Sequence, residues 1–366
     1  MATKKRQVAA VDAGNGGVNA VLGTTKGRHK QHYEPSVRAA ASGDSLGLGD
    51  LELQFTYVDW RGHRYVTGDD VTRVTRRAIE HHIGAQRYGN EFQQFLVANA
   101  LARLGVKSGA VDLNLFAPPG LYNDVQPTLV DRFQSAPVEI KLKDDKTLRQ
   151  WEYSSVTVWP EGVGAAACFI LDAEGKSDRD NAGALDGEVI VLDAGAYTLD
   201  AIKITNGSFN LETLATATWT NGGLDSHLRQ PLLKLIKSQS KDFALMTVDD
   251  VDRVIRRGVL TEDYTLKAGR SEIDLAPVVA KYRERYAEWI ANNIVDDVFS
   301  GLSGINAVIL VGGGAALIED FMTKWYSEKV MQRKDYAATK KLHPVDMNAV
   351  GGLRLALMQS RAKKSG

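Results

Sequence analysis

The sequence predicts an α/β protein of two related halves with a ligand cleft between them, and three observations carry that prediction. The first is a phrase that occurs twice. Ala10-Val11-Asp12-Ala13-Gly14-Asn15-Gly16-Gly17-Val18-Asn19-Ala20-Val21 is echoed half a chain later by Val191-Leu192-Asp193-Ala194-Gly195-Ala196-Tyr197-Thr198-Leu199-Asp200-Ala201-Ile202. In each copy an apolar run ends in a carboxylate, a small glycine-containing turn follows, and a second strand leads away. Such a turn lets main-chain N–H groups approach an anion. Either copy alone reads as an ordinary β-hairpin. Together, in register at half-chain spacing, they read as two phosphate hairpins, and ligand sites favour domain interfaces. The second observation is the succession of short strand-like runs and helical apolar spacings along the chain. The third is length: 366 residues give room for two domains, each able to bury a core.

Composition narrows the function classes. Lys plus Arg and Asp plus Glu are 45 each, so no whole-protein field steers the chain onto nucleic acid or an anionic membrane. A link to DNA would run through a local patch or an adaptor. The lone cysteine, Cys168, excludes an intramolecular disulfide and argues against a cysteine-based zinc site, which fits a reducing cytoplasm. No apolar stretch approaches the ~18 residues of a bilayer span, and the basic Met1–Gln7 segment has no apolar core behind it. The expectation is a cytoplasmic protein with no membrane attachment. The basic termini read as frayed and solvated.

Each element follows from local pattern. Residues 7–12 and 18–23 form the first hairpin. After Glu34-Pro35-Ser36-Val37, a Gly-rich stretch (42–50) opens an inserted small subdomain at about 35–70, with strands Leu51–Phe55 and Tyr57–Trp60 around the Arg61-Gly62-His63 turn. Val71–Ile83 and Phe92–Leu104 carry helical spacing; Val111–Phe116 is a strand stopped by Ala117-Pro118-Pro119-Gly120. Strands flank the Lys143–Lys146 turn, and Ser155–Pro160 runs as a strand into Glu161-Gly162-Val163-Gly164-Ala165, a helix start. Residues 175–187 are a polar loop. Beyond the second hairpin come Asn210–Thr213, the Asn221-Gly222-Gly223 turn, and helices at Leu224–Ile236, Val248–Arg257 and Ala276–Val298. The strand Ala307–Val311, the turn Gly312-Gly313-Gly314, another helix, and a closing helix from Asn348 complete the chain. The domains expected are 1–178, with 348–366 packing back on it, and 179–347.

This ordered set resembles the actin-type ATPase superfamily, and within it the bacterial ParM/StbA-like actins, over nearly the whole chain. Asp12–Gly17 resembles the first phosphate loop, Trp159–Ala165 the first connecting helix and Asp193–Asp200 the second phosphate loop. Val311–Ala315 resembles the adenosine loop and Asn348-Ala349-Val350-Gly351-Gly352 the second connecting helix. The resemblance implies a two-lobed actin-like (ribonuclease H-like, duplicated) α/β fold with the nucleotide cleft between the lobes. It implies ATP, with GTP as the alternative, and Mg2+ as cofactors. Two departures stand out: Asn19 occupies the place where many relatives carry a phosphate-reaching lysine, and Ala196-Tyr197 replace a small Gly-rich pair, where any φ > 0 geometry is harder for tyrosine.

Residue roles follow. Asp12 and Asp193, at matching strand ends, would hold Mg2+ through water, because carboxylates repel phosphate oxygens while hydrated magnesium joins both. Turn-capping aspartates are the plain alternative. By resemblance Glu161 positions the attacking water; otherwise it is a glutamate favoured by a helix N-terminus. Gly14, Asn15, Gly16, Gly17 and Asn19 line the first phosphate turn, and Gly195, Ala196, Tyr197 and Thr198 the second. Thr198 and Asp200 read equally as γ-phosphate and metal-shell groups or as solvent-facing strand residues. Gly312, Gly313 and Gly314 let purine and ribose lie on the main chain, and Gly222 and Gly223 border the ribose. Arg256 and Arg257 read as an exposed basic helix end or as reaching the base. Gly162, Gly164, Gly351 and Gly352 are candidate hinges. The resemblance implies an ATPase that polymerises into filaments, with itself and a DNA-bound adaptor as partners and no direct DNA binding. A small-molecule (sugar or carboxylate) kinase of the same superfamily is the alternative.

Overall fold

The computed structural model describes residues 6–23, 28–41, 55–73, 79–181, 183–209 and 218–365, and the chain divides into two compact units: residues 1–178 with 348–366, and residues 179–347. Residues 51–54 of the expected strand Leu51–Phe55, the Gly-rich stretch 42–50 and Asn210–Thr213 lie outside the described residues.

In the first unit, β1 (Gln7–Ala13) and β2 (Gly17–Gly23) form the predicted hairpin, in register from Ala9↔Leu22 to Ala13↔Val18. Further strands are β3 (His29–Pro35), β4 (Arg38–Ala40), β5 (Tyr57–Trp60), β6 (His63–Thr67), β7 (Ile79–Glu80), β8 (Ser108–Ala117), β9 (Val138–Leu142) and β10 (Arg149–Pro160). They make one sheet in the order β3-β2-β1-β8-β10-β9-β5-β6-β4-β7. The pairs β1–β8 and β8–β10 are parallel, which aligns the carboxyl ends of β1 and β10 on either side of β8.

The period-2 pattern sorts the first hairpin between two faces. Ala9, Val11, Ala13, Val18, Ala20 and Leu22 enter a core shared with Phe92, Phe95 and Leu96 of α1 (Glu91–Leu104). Asn90 caps that helix by accepting from the Gln93 N–H, and Gly105 ends it in the left-handed region at φ 100°. Ala10 faces the other way, toward α8 (Met347–Ser365), where a Cβ on Gly352 would lie 3.2 Å from its own. The short helix α3 (Val163–Ile170) is nearly all small, buried residues. Its last carbonyls are capped by Arg354 of α8, whose Nη1 donates to the Cys168 and Leu171 oxygens, both at 2.8 Å. Burial pushes the Cys168 thiol up to about 11, so the lone cysteine is an inert packing residue.

Two expectations need correction, and one further helix emerges. Of the helical spacing at Val71–Ile83, residues 74–78 lie outside the described residues; 71–73 end a 3-10 turn at Gly68–Arg73, and 79–80 form the strand β7, paired with β4 through Ala39↔Ile79 and Arg38↔Glu80. Arg38 Nε donates to Glu80 at 2.9 Å, and pairing with β4 overrides the local period. Ser155–Pro160 is the second half of a longer strand, because a bulge between Tyr153 and Ser155 breaks the alternation. A helix the periodicity did not announce, α2 (Tyr122–Gln134), buries Val125, Leu129 and Phe133 at four-residue spacing despite an internal Pro127.

The second unit is built on β11 (Glu188–Ala194), β12 (Leu199–Thr205), β13 (Ser208–Phe209), β14 (Thr218–Trp219) and β17 (Ala307–Val311). Their order is β13-β12-β11-β17, with β14 on β12, and β15 (Thr265–Ala268) with β16 (Ser271–Asp274) forms a separate hairpin. The second predicted hairpin is β11–β12, paired from Glu188↔Thr205 to Ala194↔Leu199, with β11 parallel to β17. Its inward residues Ile190, Leu192 and Leu199 share a core with α4 (Gln230–Gln239), α5 (Val248–Thr261), α6 (Ala276–Ile290) and α7 (Ala315–Trp325). A capping box of Thr247 and Asp250 starts α5. Among the described residues no helix is long and apolar enough to cross a membrane.

Candidate functional site

In the first unit, the β1–β2 turn is held from three sides. Ser36 Oγ donates to the Gly14 carbonyl at 2.6 Å, Arg87 Nη1 donates to Asn15 Oδ1 at 3.0 Å, and His81 Nε2 lies 2.9 Å from the Asn15 carbonyl. Arg87 is fully buried, so its guanidinium is a fixed cation behind the turn. A Cβ at Gly17 would sit 2.5 Å from the Tyr33 ring, so a larger residue there would push that side chain aside. Asp12 pairs across the hairpin with Asn19, which is 5% exposed and whose Oδ1 is buried without a hydrogen-bond partner. Position 19 therefore presents a buried neutral amide opposite Asp12.

Glu161 follows Pro160 at the end of β10, and its N–H donates to the Ala117 carbonyl at 2.8 Å. Gly162, at φ 92°, turns the chain into α3. From α8, Asn348 reaches both segments: its Nδ2 donates to Asp12 Oδ2 at 3.3 Å and its Oδ1 accepts from the Gly162 N–H at 3.0 Å. The structure thus brings Asp12, Asn19 and the Glu161 turn to one end of the sheet.

In the second unit, three turns remote in sequence converge. Gly195 N–H donates to the Thr198 carbonyl at 2.9 Å and closes the β11–β12 turn. The Gly222-Gly223 turn packs on it: Gly223 N–H reaches the Tyr197 carbonyl at 3.3 Å, Leu224 N–H the Gly195 carbonyl at 3.1 Å, and Asp225 N–H the Ala196 carbonyl at 2.7 Å. The Gly312–Gly314 turn comes from the other side, with Gly314 N–H on the Ala194 carbonyl at 2.7 Å. At Gly312, φ is 88° and a Cβ would overlap Asp193 Oδ1, so only glycine fits twice over. Nothing lies within 4 Å of a Cβ placed on Gly313, which leaves that stretch of main chain open to approach.

Side chains then fix the second turn. Arg229, 4% exposed, donates to the Ala196 carbonyl at 2.9 Å, pairs with Asp252 at 3.3 Å, and lies 4.8 Å over the Tyr197 ring. Burial pushes the Tyr197 phenol up to about 12. The strain expected of tyrosine here does not arise, since Tyr197 is not among the non-glycine residues with positive φ. Thr198 is half-buried and donates its hydroxyl proton to Asp200 at 2.9 Å. Asp200, 2% exposed, also accepts from Thr218 at 2.6 Å, so it is an interior group rather than a solvent-facing one. The buried Tyr286 hydroxyl donates to the Gly222 carbonyl at 2.8 Å, its pKa raised by burial and by the Asp193 and Asp200 carboxylates. His227 stacks on Tyr286 and lies against Trp289, and burial lowers its pKa.

Sequence reasoning missed Arg87, His81, Arg229, Tyr286 and the bridging role of Asn348. None stands in a motif with its partner, and only spatial proximity identifies it. Arg256 and Arg257 are engaged locally, with Asp252 at 2.9 Å and Asp263 at 3.3 Å. Among the described residues no group of three or more His, Cys, Asp or Glu is placed to hold a metal by itself. The donor set suits a cation bound mainly by phosphate and water, with single carboxylates behind the water.

Two family models match the chain: the N-terminal domain of actin-like proteins over residues 10–164, and the C-terminal domain of the archaeal MreB-like actin homologue over residues 191–324. No curated protein matches it by sequence. Among solved structures, an archaeal actin homologue in complex with ADP superposes with a TM-score of 0.72 at 17% identity, covering 97% of this chain and 99% of its own. A 15-stranded ParM filament from Clostridium botulinum gives 0.70 at 18%, covering 95% and 98%. Bacillus thuringiensis ParM with ADP gives 0.65 at 16%, covering 98% and 100%. At these identities the likeness is one of fold. The two domain matches and the shared fold together place the chain among the actin-like proteins, beside ParM and the archaeal actin homologues.

Proposed function

We propose that this protein is a cytoplasmic ATPase that binds Mg-ATP, polymerises into dynamic filaments, and serves plasmid or other DNA segregation through a DNA-bound adaptor. The observation that carries the nucleotide half is the packing of the Gly222–Gly223 and Gly312–Gly314 turns against the Ala194–Thr198 turn that follows Asp193, with Gly313 open. Those N–H groups are spent on packing the turns together, and what the packing leaves is glycine main chain uncovered by side chains, which suits close approach of ribose and phosphate; two structures of the same fold contain ADP. The polymer half rests on the fold shared with a ParM filament.

Asp12 and Asp193 would hold a hydrated Mg2+, whose chemistry there would be neutralisation of phosphate charge. Glu161 orients the water that attacks the terminal phosphate, the main task that phosphoryl transfer leaves to a side chain. Arg87 adds fixed positive potential behind the first turn, where the lysine expected of relatives is replaced by Asn19.

Light scattering and electron microscopy with Mg-ATP, Mg-GTP and Mg-ADP test this reading: assembly above a critical concentration with a triphosphate is expected. Glu161→Ala should keep nucleotide binding, release phosphate about 100-fold more slowly and give longer-lived polymer. Absence of polymer, with ATP turnover appearing only when a sugar or carboxylate acceptor is added, would make the protein a small-molecule kinase instead.

A further inference from the structure

We propose that Asn348 is a positioning residue that holds Asp12 and the Glu161–Gly162 peptide in one fixed relation, so that the cation-side carboxylate and the hydrolytic turn move as a unit. The inference rests on the roles of Asp12 and Glu161 proposed above. β1 and β10 flank β8, so their carboxyl ends stand about 10 Å apart at the usual strand spacing. Asn348 spans that gap from α8.

Both ends of its amide are committed: Nδ2 donates to Asp12 Oδ2 at 3.3 Å and Oδ1 accepts from the Gly162 N–H at 3.0 Å. Only a side chain with a donor and an acceptor at this reach makes both bonds, and the side chain is 1% exposed, so water offers little replacement. An aspartate keeps the acceptor but cannot donate to a carboxylate. The backbone gives no slack either. A Cβ on Gly164 would lie 3.0 Å from the Asn348 Cα, and one on Gly351 would lie 2.9 Å from the Gly164 Cα and closer still to its carbonyl. The first turns of α3 and α8 therefore meet main chain to main chain, and a shift of one carries the other. The Glu161 end is fixed in turn by its N–H on the Ala117 carbonyl at 2.8 Å.

The test measures ADP affinity of the full-length protein with Mg2+ and with EDTA, for wild type, Asn348→Asp, Asn348→Ser and Asp12→Ala. In wild type, Mg2+ should tighten ADP. Both Asn348 variants should lose about tenfold of that gain, the cost typical of removing a partner that orients a ligand, while ADP affinity in EDTA stays within about twofold of wild type. In the Asp12→Ala background the Asn348 substitutions should add almost nothing, because they act through Asp12. A purely structural role would instead lower both affinities together. Serine, being small and uncharged, preserves the test if aspartate unfolds the helix junction. Wild-type gain in both variants overturns the inference alone. Failure of wild type to bind ADP at all overturns the proposed function and this inference with it.

Discussion

Gly351→Ala is the sharpest perturbation of the first unit. A Cβ at 351 would overlap the Gly164 carbonyl and lie 2.9 Å from its Cα, against 3.4–4 Å for ordinary van der Waals contact. The obstructing atoms are main chain on a buried helix, so no rotamer change relieves the clash. α8 must move away from α3 by at least half an ångström measured at the Cα, and further at the carbonyl. That motion stretches the Asn348–Gly162 hydrogen bond at 3.0 Å and the two Arg354 caps at 2.8 Å. Overpacking plus one weakened buried hydrogen bond costs about 2–4 kcal/mol, and at about 2–4 °C per kcal/mol the melting transition should fall by roughly 4–16 °C. The control is Gly313→Ala, where nothing lies within 4 Å and φ is not positive; it should melt within about 2 °C of wild type. Scanning calorimetry of both variants decides the matter. A Gly351→Ala protein that melts with the control would refute the close packing of α3 on α8.

Arg229→Ala removes a buried cation from Asp252 and from the Ala196 carbonyl, and should destabilise the protein by about 3 kcal/mol in urea titrations; Arg229→Lys should recover less than half of it, since an ammonium cannot donate along the same fork and stack on Tyr197. Tyr286→Phe leaves the Gly222 carbonyl short of a donor and should cost about 1–2 kcal/mol by the same measurement. Arg87→Met should weaken binding of ATP more than of AMP, as a lost fixed charge near the phosphates does; equal loss for both, by calorimetric titration, would assign Arg87 to packing alone. Because burial lowers the folded-state pKa of His227 below 6.5, the unfolded chain binds the proton more readily, and stability should fall as pH drops below about 6.5. A His227→Phe protein keeps the stack on Tyr286 and Trp289 without the proton, so the gap in melting temperature between it and wild type should change across that window and be constant above it.

Much of the backbone around the candidate site was legible because its demands are local. A turn that must approach an anion needs small residues within four or five positions, and a half-buried strand announces itself by alternation; the hairpins at Asp12–Asn19 and Asp193–Asp200 and the turn at Gly312–Gly314 meet both conditions. What escaped depended on distance in sequence. Val71–Ile83 carries a helical period, yet Ile79 and Glu80 pair with a strand some forty positions earlier, because Arg38 captures Glu80 and an edge strand gains its hydrogen bonds. Tyr197 looked strained by its neighbours alone, and Arg229 shows it to be a platform for a cation instead. Asn348 meets Asp12 across 336 positions, a bond no spacing rule could signal.

The sequence by itself determined the duplicated hairpins, the glycine turns and the α/β class, since those depend on backbone freedom and side-chain periodicity within a few residues. Only the tertiary structure decided which cations and amides stand behind the turns. A hydrogen bond or ion pair forms only when folding closes the loop between its partners, and the positions of Arg87, Arg229 and Asn348 are set by the packing of whole helices and sheets.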